Sequence, residues 1–364
     1  MISFGMSEEQ ELIRDAMREF AADAIRPIAR ECDETGEIPA DFLETVWSLG
    51  LTSTQIPEEY GGAGEERAML SNAILLEELA FGDASLAIAS LAPSLFANAI
   101  LDQGTEEQKK TYLPLFCGDS FATGSLAVSE PGALADASAP RTMAETKGDG
   151  FILSGRKTTV VFGDRASHFL ITAQLGDDLA AFIVPRDAAG LKVTEPEKSM
   201  GLRGLTKTGL EIERVEVGAG ALLGGVEGAD VQQILNVSRA GLSAVMLGVS
   251  RAVLEYCVPY TKDRVAFDEP ISKKQSIAFR LSDMHIEQHA MRMLVWRAAS
   301  LLEHGEDATQ AVWHARSYAA EKSMWIADNG VQILGGHGFI REHPVEMWFR
   351  DARTLGVLEG MVAI

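Results

Sequence analysis

The 364-residue sequence predicts an α+β chain in which a β domain is inserted between two helical layers. Two observations carry that expectation. Apolar residues recur at helical spacing in the first and last thirds, while the middle third changes to short alternating runs punctuated by turns. The expected limits are 1–119 for an N-terminal helical domain, 120–226 for a central β domain and 227–364 for a C-terminal helical bundle. Strands and helices do not alternate along the chain, which excludes a βαβ architecture.

In the first part, Leu12, Ala16 and Phe20, then Phe42, Val46 and Leu49, then Leu75, Leu76 and Leu79 mark helical faces, and Ser7 with Gln10 forms a capping box. The longest uncharged stretch, Ala84 to Leu101, spans 18 residues and contains Pro93, Ser90, Ser94 and Asn98, so a buried helix broken at Pro93 is expected rather than a membrane span. Strand-like runs follow at Arg141 to Thr146, Phe151 to Leu153, Thr158 to Phe162, Phe169 to Ala173, Ala181 to Val184 and Leu210 to Val217. Gly148-Asp149-Gly150 is a hairpin turn signal. Long helical patterns then cover Val231 to Arg264, Lys274 to Glu303 and Thr309 to Leu334, each too apolar to stand alone on a surface.

Composition narrows the function classes. At 46% hydrophobic and 23% charged, the chain has the material for a large core. Its 53 acidic against 32 basic residues give a net charge of -21, which disfavours nucleic acid as a partner. Cys32, Cys117 and Cys257 lack C-x-x-C spacing, so neither a disulfide frame nor a cysteine zinc site is expected, and a reducing cytoplasm fits. Glu8, Glu9, Glu11 and Asp15 near the start argue against a targeting signal.

Most short motifs have an ordinary explanation. Gly61-Gly62-Ala63-Gly64, Gly224-Gly225 and Gly335-Gly336-His337-Gly338 do not sit between a strand and a helix, and fit turns or helix caps. His285 and His289 lie one helical turn apart but lack a third donor, so a polar helix face is expected and no metal. No hydrolase nucleophile elbow or phosphate-cradling loop is present. Two polar residues stand out in apolar surroundings. Arg239 interrupts an apolar helix, and Glu359 lies between Leu358 and Gly360 just after a helix ending near Leu355. A carboxyl so placed suits either a general base or an ion pair.

Several separated motifs together are more specific. Ile56-Pro57-Glu58-Glu59-Tyr60-Gly61-Gly62, Ser129-Glu130-Pro131-Gly132, Gly155-Arg156-Lys157, Arg264-Val265-Ala266-Phe267, Gln332-Ile333-Leu334-Gly335-Gly336 and Pro344-Val345-Glu346, followed by Arg350-Asp351-Ala352 and Glu359-Gly360, resemble acyl-CoA dehydrogenase signatures in order and spacing over nearly the whole chain. The resemblance implies an N-terminal helical domain, a central β barrel-like domain and a C-terminal four-helix bundle, assembled as a dimer of dimers. It implies FAD as cofactor, an acyl-CoA or carrier-bound acyl thioester as substrate, and an electron-transfer flavoprotein as electron acceptor. Glu359 matches the base that removes the α-proton while the β-hydrogen leaves as hydride to flavin N5. Val128, Ser129, Thr159 and Val161 match positions on the chain's own flavin. Arg264, Phe267, Gln275, Gln332 and Gly336 match positions reaching a neighbour's flavin. Asn236, Arg239 and Gly360 match substrate-side positions, and Leu86 to Leu101 is expected to line part of the acyl pocket.

The departures from the family pattern fall on one side. Leu134 and Ala135 stand where the family has small and hydroxyl residues, Thr159-Val160-Val161 replaces Trp-Ile-Thr, and Met361 replaces Thr. Residues a subunit turns on its own flavin are altered, while those extended to a neighbour fit. A second expectation follows, in which the chain is the partner subunit of a heteromeric dehydrogenase, completes a flavin site on another polypeptide, and has little activity alone.

Overall fold

The computed structural model describes residues 5–133 and 135–364. Leu134, one of the expected departures, lies outside the described residues. The first part is helical: α1 (Glu8–Phe20), α2 (Arg26–Thr35), α3 (Ala40–Ser48), α4 (Met69–Gly82), α5 (Ala84–Gln103) and α6 (Glu106–Tyr112). Ser7 and Gln10 do form the capping box on α1. The Pro57–Gly64 segment is a turn in which Gly61 is left-handed and caps a short 3-10 helix.

The expected break at Pro93 does not occur, because α5 runs through it. Proline removes one intrahelical N–H and ordinarily costs about 3 kcal/mol. Here residues 84–100 are all buried, and packing on both sides of the proline outweighs the lost bond. The helices α4 and α5 are nearly apolar all round, as core helices are.

The middle part is one seven-stranded sheet: β1 (Ser125–Ala127), β2 (Met143–Lys147), β3 (Gly150–Val161), β4 (His168–Leu175), β5 (Asp178–Pro185), β6 (Leu191–Val193) and β7 (Lys207–Val217). The strand order is β1-β4-β2-β3-β7-β6, with β5 on the far side of β4. The strands surround a small core of their own that includes Leu153, Phe169, Phe182, Leu210 and Val215. Two runs expected as separate strands, 151–153 and 158–162, are one long β3 with register shifts against β7. The second shift holds Thr159 at φ +54, an unusual conformation for a β-branched residue.

The last part is a bundle of α7 (Val231–Asp263), a two-stranded hairpin of β8 (Val265–Ala266) and β9 (Glu269–Pro270), α8 (Gln275–Glu303), α9 (Thr309–Leu334) and α10 (Val345–Leu355). Helices α5 and α7 are long and apolar enough to cross a membrane, but 94% and 83% of their most apolar windows are buried inside the fold. A buried cluster ties the first part to the last: Arg251 of α7 bonds Glu77 and Glu78 of α4, Arg292 of α8 bonds Glu77, and Arg18 of α1 bonds Glu78. Each buried carboxylate is thus answered by guanidinium, which is what makes the burial tolerable.

Candidate active site

The residues that matter converge where the chain leaves α10. The last turn of that helix leaves carbonyls without intrahelical donors. Arg316 of α9 reaches under them and donates to the Leu355 carbonyl at 3.0 Å and the Leu358 carbonyl at 2.7 Å. One residue on, the Ser129 hydroxyl donates to the Glu359 carbonyl at 3.4 Å. Gly360 follows at φ +70, and a Cβ there would lie 2.0 Å from Val128 Cγ2. Only glycine allows the loop to lie this close to the residues that follow β1. Met361 to Ile364 are then almost completely buried, and Val362 and Ala363 pack against Gly241 of α7.

Glu359 presents its carboxylate to α7. Its Oε2 accepts from Arg239 Nε at 3.0 Å, with the side chains 24% and 10% exposed, so the ion pair drawn from the sequence is present. The Glu359 backbone N–H has no partner among the described residues. The site therefore offers one carboxylate, one contacting guanidinium, a second guanidinium behind it and one unpaired backbone donor.

Asn236, on the same helix as Arg239, is buried and already satisfied, accepting from Gln232 at 2.9 Å and donating to Thr309 at 3.0 Å. Leu95, Asn98 and Ala99 of α5 share a small cavity with Gln233, Ile234, Val237 and Ala363.

Beneath Ser129 lies a polar brace. Lys157 of β3 is buried and bonds Glu130 at 3.0 Å, the Val128 carbonyl at 3.2 Å and Thr172 at 3.2 Å. Glu130 also accepts from the Thr142 hydroxyl at 2.6 Å and from the amides of Arg141 and Thr142. Burial alone would raise the Glu130 carboxyl, but the Thr142 hydroxyl, Lys157 and the two amides outweigh it and hold it at about 2. Burial pushes Lys157 the other way, down to about 8, against the pull of Glu130. The Ser129-Glu130 and Arg156-Lys157 motifs are thus two halves of one brace, a pairing that their sequence separation concealed.

The own-flavin positions offer little free hydrogen-bonding capacity. The Thr159 N–H donates to Glu197 at 3.0 Å, as does the Thr158 hydroxyl at 2.5 Å, and the Thr159 hydroxyl is spent on the Thr158 carbonyl at 2.8 Å. Val161 is buried, and its carbonyl accepts from Ser125 at 2.6 Å. Val128 is buried against Gly360.

The outward positions are the reverse. Arg264, Phe267, Gln275, Gln332 and Gly336 are all exposed at one end of the bundle, where α7 ends, α8 begins and α9 gives way to the Gly335–Phe339 turn. The side chains of Arg264, Gln275 and Gln332 bond nothing among the described residues. Phe267 is 88% exposed, beside the Lys274 ammonium. The surface is held from below: the Tyr260 hydroxyl meets His337 Nδ1 at 2.9 Å, Tyr256 meets His343 Nδ1 at 2.7 Å, and the two imidazoles stack 5.2 Å apart.

Sequence reasoning missed Arg316. The signal was available, since Arg316 interrupts apolar α9 as Arg239 interrupts α7, but its partners are backbone carbonyls that leave no trace in residue types. His285 and His289 lie 4.4 Å apart on α8, and among the described residues no third His, Cys, Asp or Glu joins them as a metal-binding group.

Comparison with known proteins establishes the family. Sequence profiles of the acyl-CoA dehydrogenase N-terminal, middle and C-terminal domains match residues 7–119, 125–215 and 227–364. A probable acyl-CoA dehydrogenase of Bacillus subtilis, YngJ, is 35% identical over 99% of this chain and 96% of its own length. A 3-(aryl)acrylate reductase of Clostridium sporogenes is 34% identical over 97% of this chain and 95% of its own. The structure of butyryl-CoA dehydrogenase from Megasphaera elsdenii superposes with a TM-score of 0.89 at 31% identity, covering 99% of this chain and 96% of that one. With three profiles covering most of its length and relatives matching end to end, the chain belongs to the acyl-CoA dehydrogenase family of oxidoreductases.

Proposed function

We propose that the chain catalyses α,β-dehydrogenation of an acyl-CoA, or of an acyl group on a carrier protein, with Glu359 taking the α-proton inside an oligomer that shares FAD between subunits. The observation that carries this is the loop after α10, where the Glu359 carboxylate meets Arg239 and the Glu359 N–H has no partner among the described residues. Arg239 occupies Oε2, which leaves Oε1 to receive the proton. An α-proton is far too weakly acidic for a carboxylate unless the thioester oxygen is stabilised as charge develops on it. The Glu359 N–H is the donor for that oxygen. Arg239 orients the carboxylate through Oε2, and the drive for proton transfer comes from stabilising the thioester oxygen. Burial of Met361 to Ile364 keeps water from the far side of the loop.

The residues fit FAD unevenly. Arg264, with free donors, suits a pyrophosphate, and Gln275, Gln332 and the bare Gly336 backbone suit the rest of the dinucleotide on a neighbouring subunit. When bound, FAD supplies the acceptor for the β-hydrogen, giving a trans-2-enoyl thioester, and an electron-transfer flavoprotein is the proposed onward acceptor. We place this activity in cytoplasmic fatty acid metabolism, in a dimer of dimers whose subunits have the limits 1–119, 120–226 and 227–364.

A second reading is favoured by the contrast between the two flavin-facing sets: the chain completes a flavin site on a different subunit and has little activity alone. One preparation separates the two. Purified alone, the first reading expects stoichiometric yellow flavin bleached by an acyl-CoA, with turnover lost in Glu359→Gln. A colourless, inert protein that restores turnover to a second dehydrogenase chain supports the other.

A further inference from the structure

The two clamps on the Glu359 loop are unequal. Ser129 holds it by one 3.4 Å bond on the β-domain side, and Arg316 holds it by two shorter bonds from inside the bundle. Few other bonds fix this segment: Val357 and Leu358 donate to Thr354 and Leu355 at 3.2 and 3.5 Å, and Glu359 and its side chain depend on the carbonyl clamps and Arg239.

Arg316 is also an unusual residue to bury. It is 6% exposed, no carboxylate touches it, and its Nε is buried without a partner. Its remaining contact is Met246 Sδ, 3.8 Å from one terminal nitrogen. A buried guanidinium lacking a contacting carboxylate is costly, and a neutral side chain of similar shape would fill the same space. Burial pushes its pKa down, Glu359 draws it back up and Arg239 opposes it, so the nearby acid that offsets this charge is the base itself.

We propose that Arg316 is the positioning residue of the catalytic loop: by gripping the carbonyls on both sides of the turn after α10, it sets the direction in which Glu359 presents its free oxygen to the substrate. This rests on Glu359 being the base, but the grip can be tested separately. Arg316 bonds the carbonyls of the loop and not the Glu359 carboxylate. Its effect should therefore appear in the chemical step and leave binding alone.

The experiment compares wild type, Arg316→Met, Arg316→Lys and Glu359→Gln in the assembled enzyme, by steady-state kinetics and by amide hydrogen exchange. Arg316→Met should lower kcat about 10- to 100-fold with KM within about twofold, the signature of misplaced catalytic geometry. Arg316→Lys, which keeps the charge and can donate to both carbonyls, should return kcat to within about fivefold of wild type. Exchange over residues 356–362 should rise at least about tenfold in Arg316→Met, with the core of α7 unchanged, because the bonds that restrain this segment are gone. Arg316→Met with kcat and loop exchange both within about twofold of wild type would overturn the proposal, as would a raised KM at constant kcat. Absence of turnover in every protein, wild type included, would sink the dehydrogenase reading for the lone chain, while loop exchange would still decide whether Arg316 grips the segment.

Discussion

Two surfaces of this chain, both proposed to meet flavin, are built oppositely. Around Glu359 nearly every polar atom is committed: Arg239 to the carboxylate, Arg316 and Ser129 to the backbone, Glu197 to Thr158 and Thr159, and Lys157 to Glu130 and the Val128 carbonyl. At the end of the bundle, Arg264, Gln275 and Gln332 are committed to nothing. A committed site is preorganised and gains little from a partner. An uncommitted set of exposed donors gains much, because each new bond replaces water at little internal loss. On the proposed roles, this contrast directs the subunit's contribution to flavin binding mainly outward.

The comparison can be broken at its strongest point first. Glu359→Gln keeps the size of the side chain and removes its basicity, and should lower kcat about 10³-fold, as a positioned base contributes about 10² to 10⁴. Turnover near wild type would show that the committed side holds no base.

Next is the brace beneath it. A carboxyl held below its unfolded value contributes stability that is complete above about pH 4.5 and is lost as the pH falls towards its folded value, for Glu130 about 2. A separation of about 2.5 pH units corresponds to about 3 kcal/mol. Between pH 5 and pH 2, wild type should therefore lose up to about 3 kcal/mol more stability to urea than Glu130→Gln does. An unchanged acid limb in the variant would mean the brace is not what fixes Ser129.

On the uncommitted side, Arg264→Ala should weaken flavin retention by about 2 kcal/mol, roughly 30-fold in Kd, read as loss of the visible absorbance on dilution. The smallest effect sharpens the contrast. Ala135→Ser with Val161→Thr restores two hydroxyls on the chain's own side and should tighten flavin binding by about 1 kcal/mol, roughly fivefold, measured by flavin fluorescence. A gain much larger than that would mean the inward surface was limited by those two positions and not by its internal bonding.

Much of the fold was legible because its signals are periodic. The long patterns of the last third marked α7, α8 and α9 to within a residue or so, and the Ser7 cap marked the start of α1. What failed depends on packing. Pro93 is a strong local stop, yet the apolar surroundings that keep α5 continuous come from other elements. The two β runs on either side of Gly155 merge because β7 pairs with both, which the turn-like Ser154-Gly155 cannot reveal. In the site, Glu359 and Arg239 were visible as charges among apolar residues, but their 3.0 Å pairing joins positions 120 residues apart. The carbonyl clamps had no signature, since any residue type presents a carbonyl.

Helix α7 carries Arg239 inward, and its end carries Arg264 outward. The two are separated by 264 − 239 = 25 residues, which at 1.5 Å per residue is about 37 Å of nearly continuous rod. In an assembled oligomer such a rod would have one subunit's proton chemistry at one tip and the adjoining subunit's dinucleotide at the other. A tilt of that rod would be felt at both tips together, so mechanical crosstalk between neighbouring pockets would need no flexible messenger.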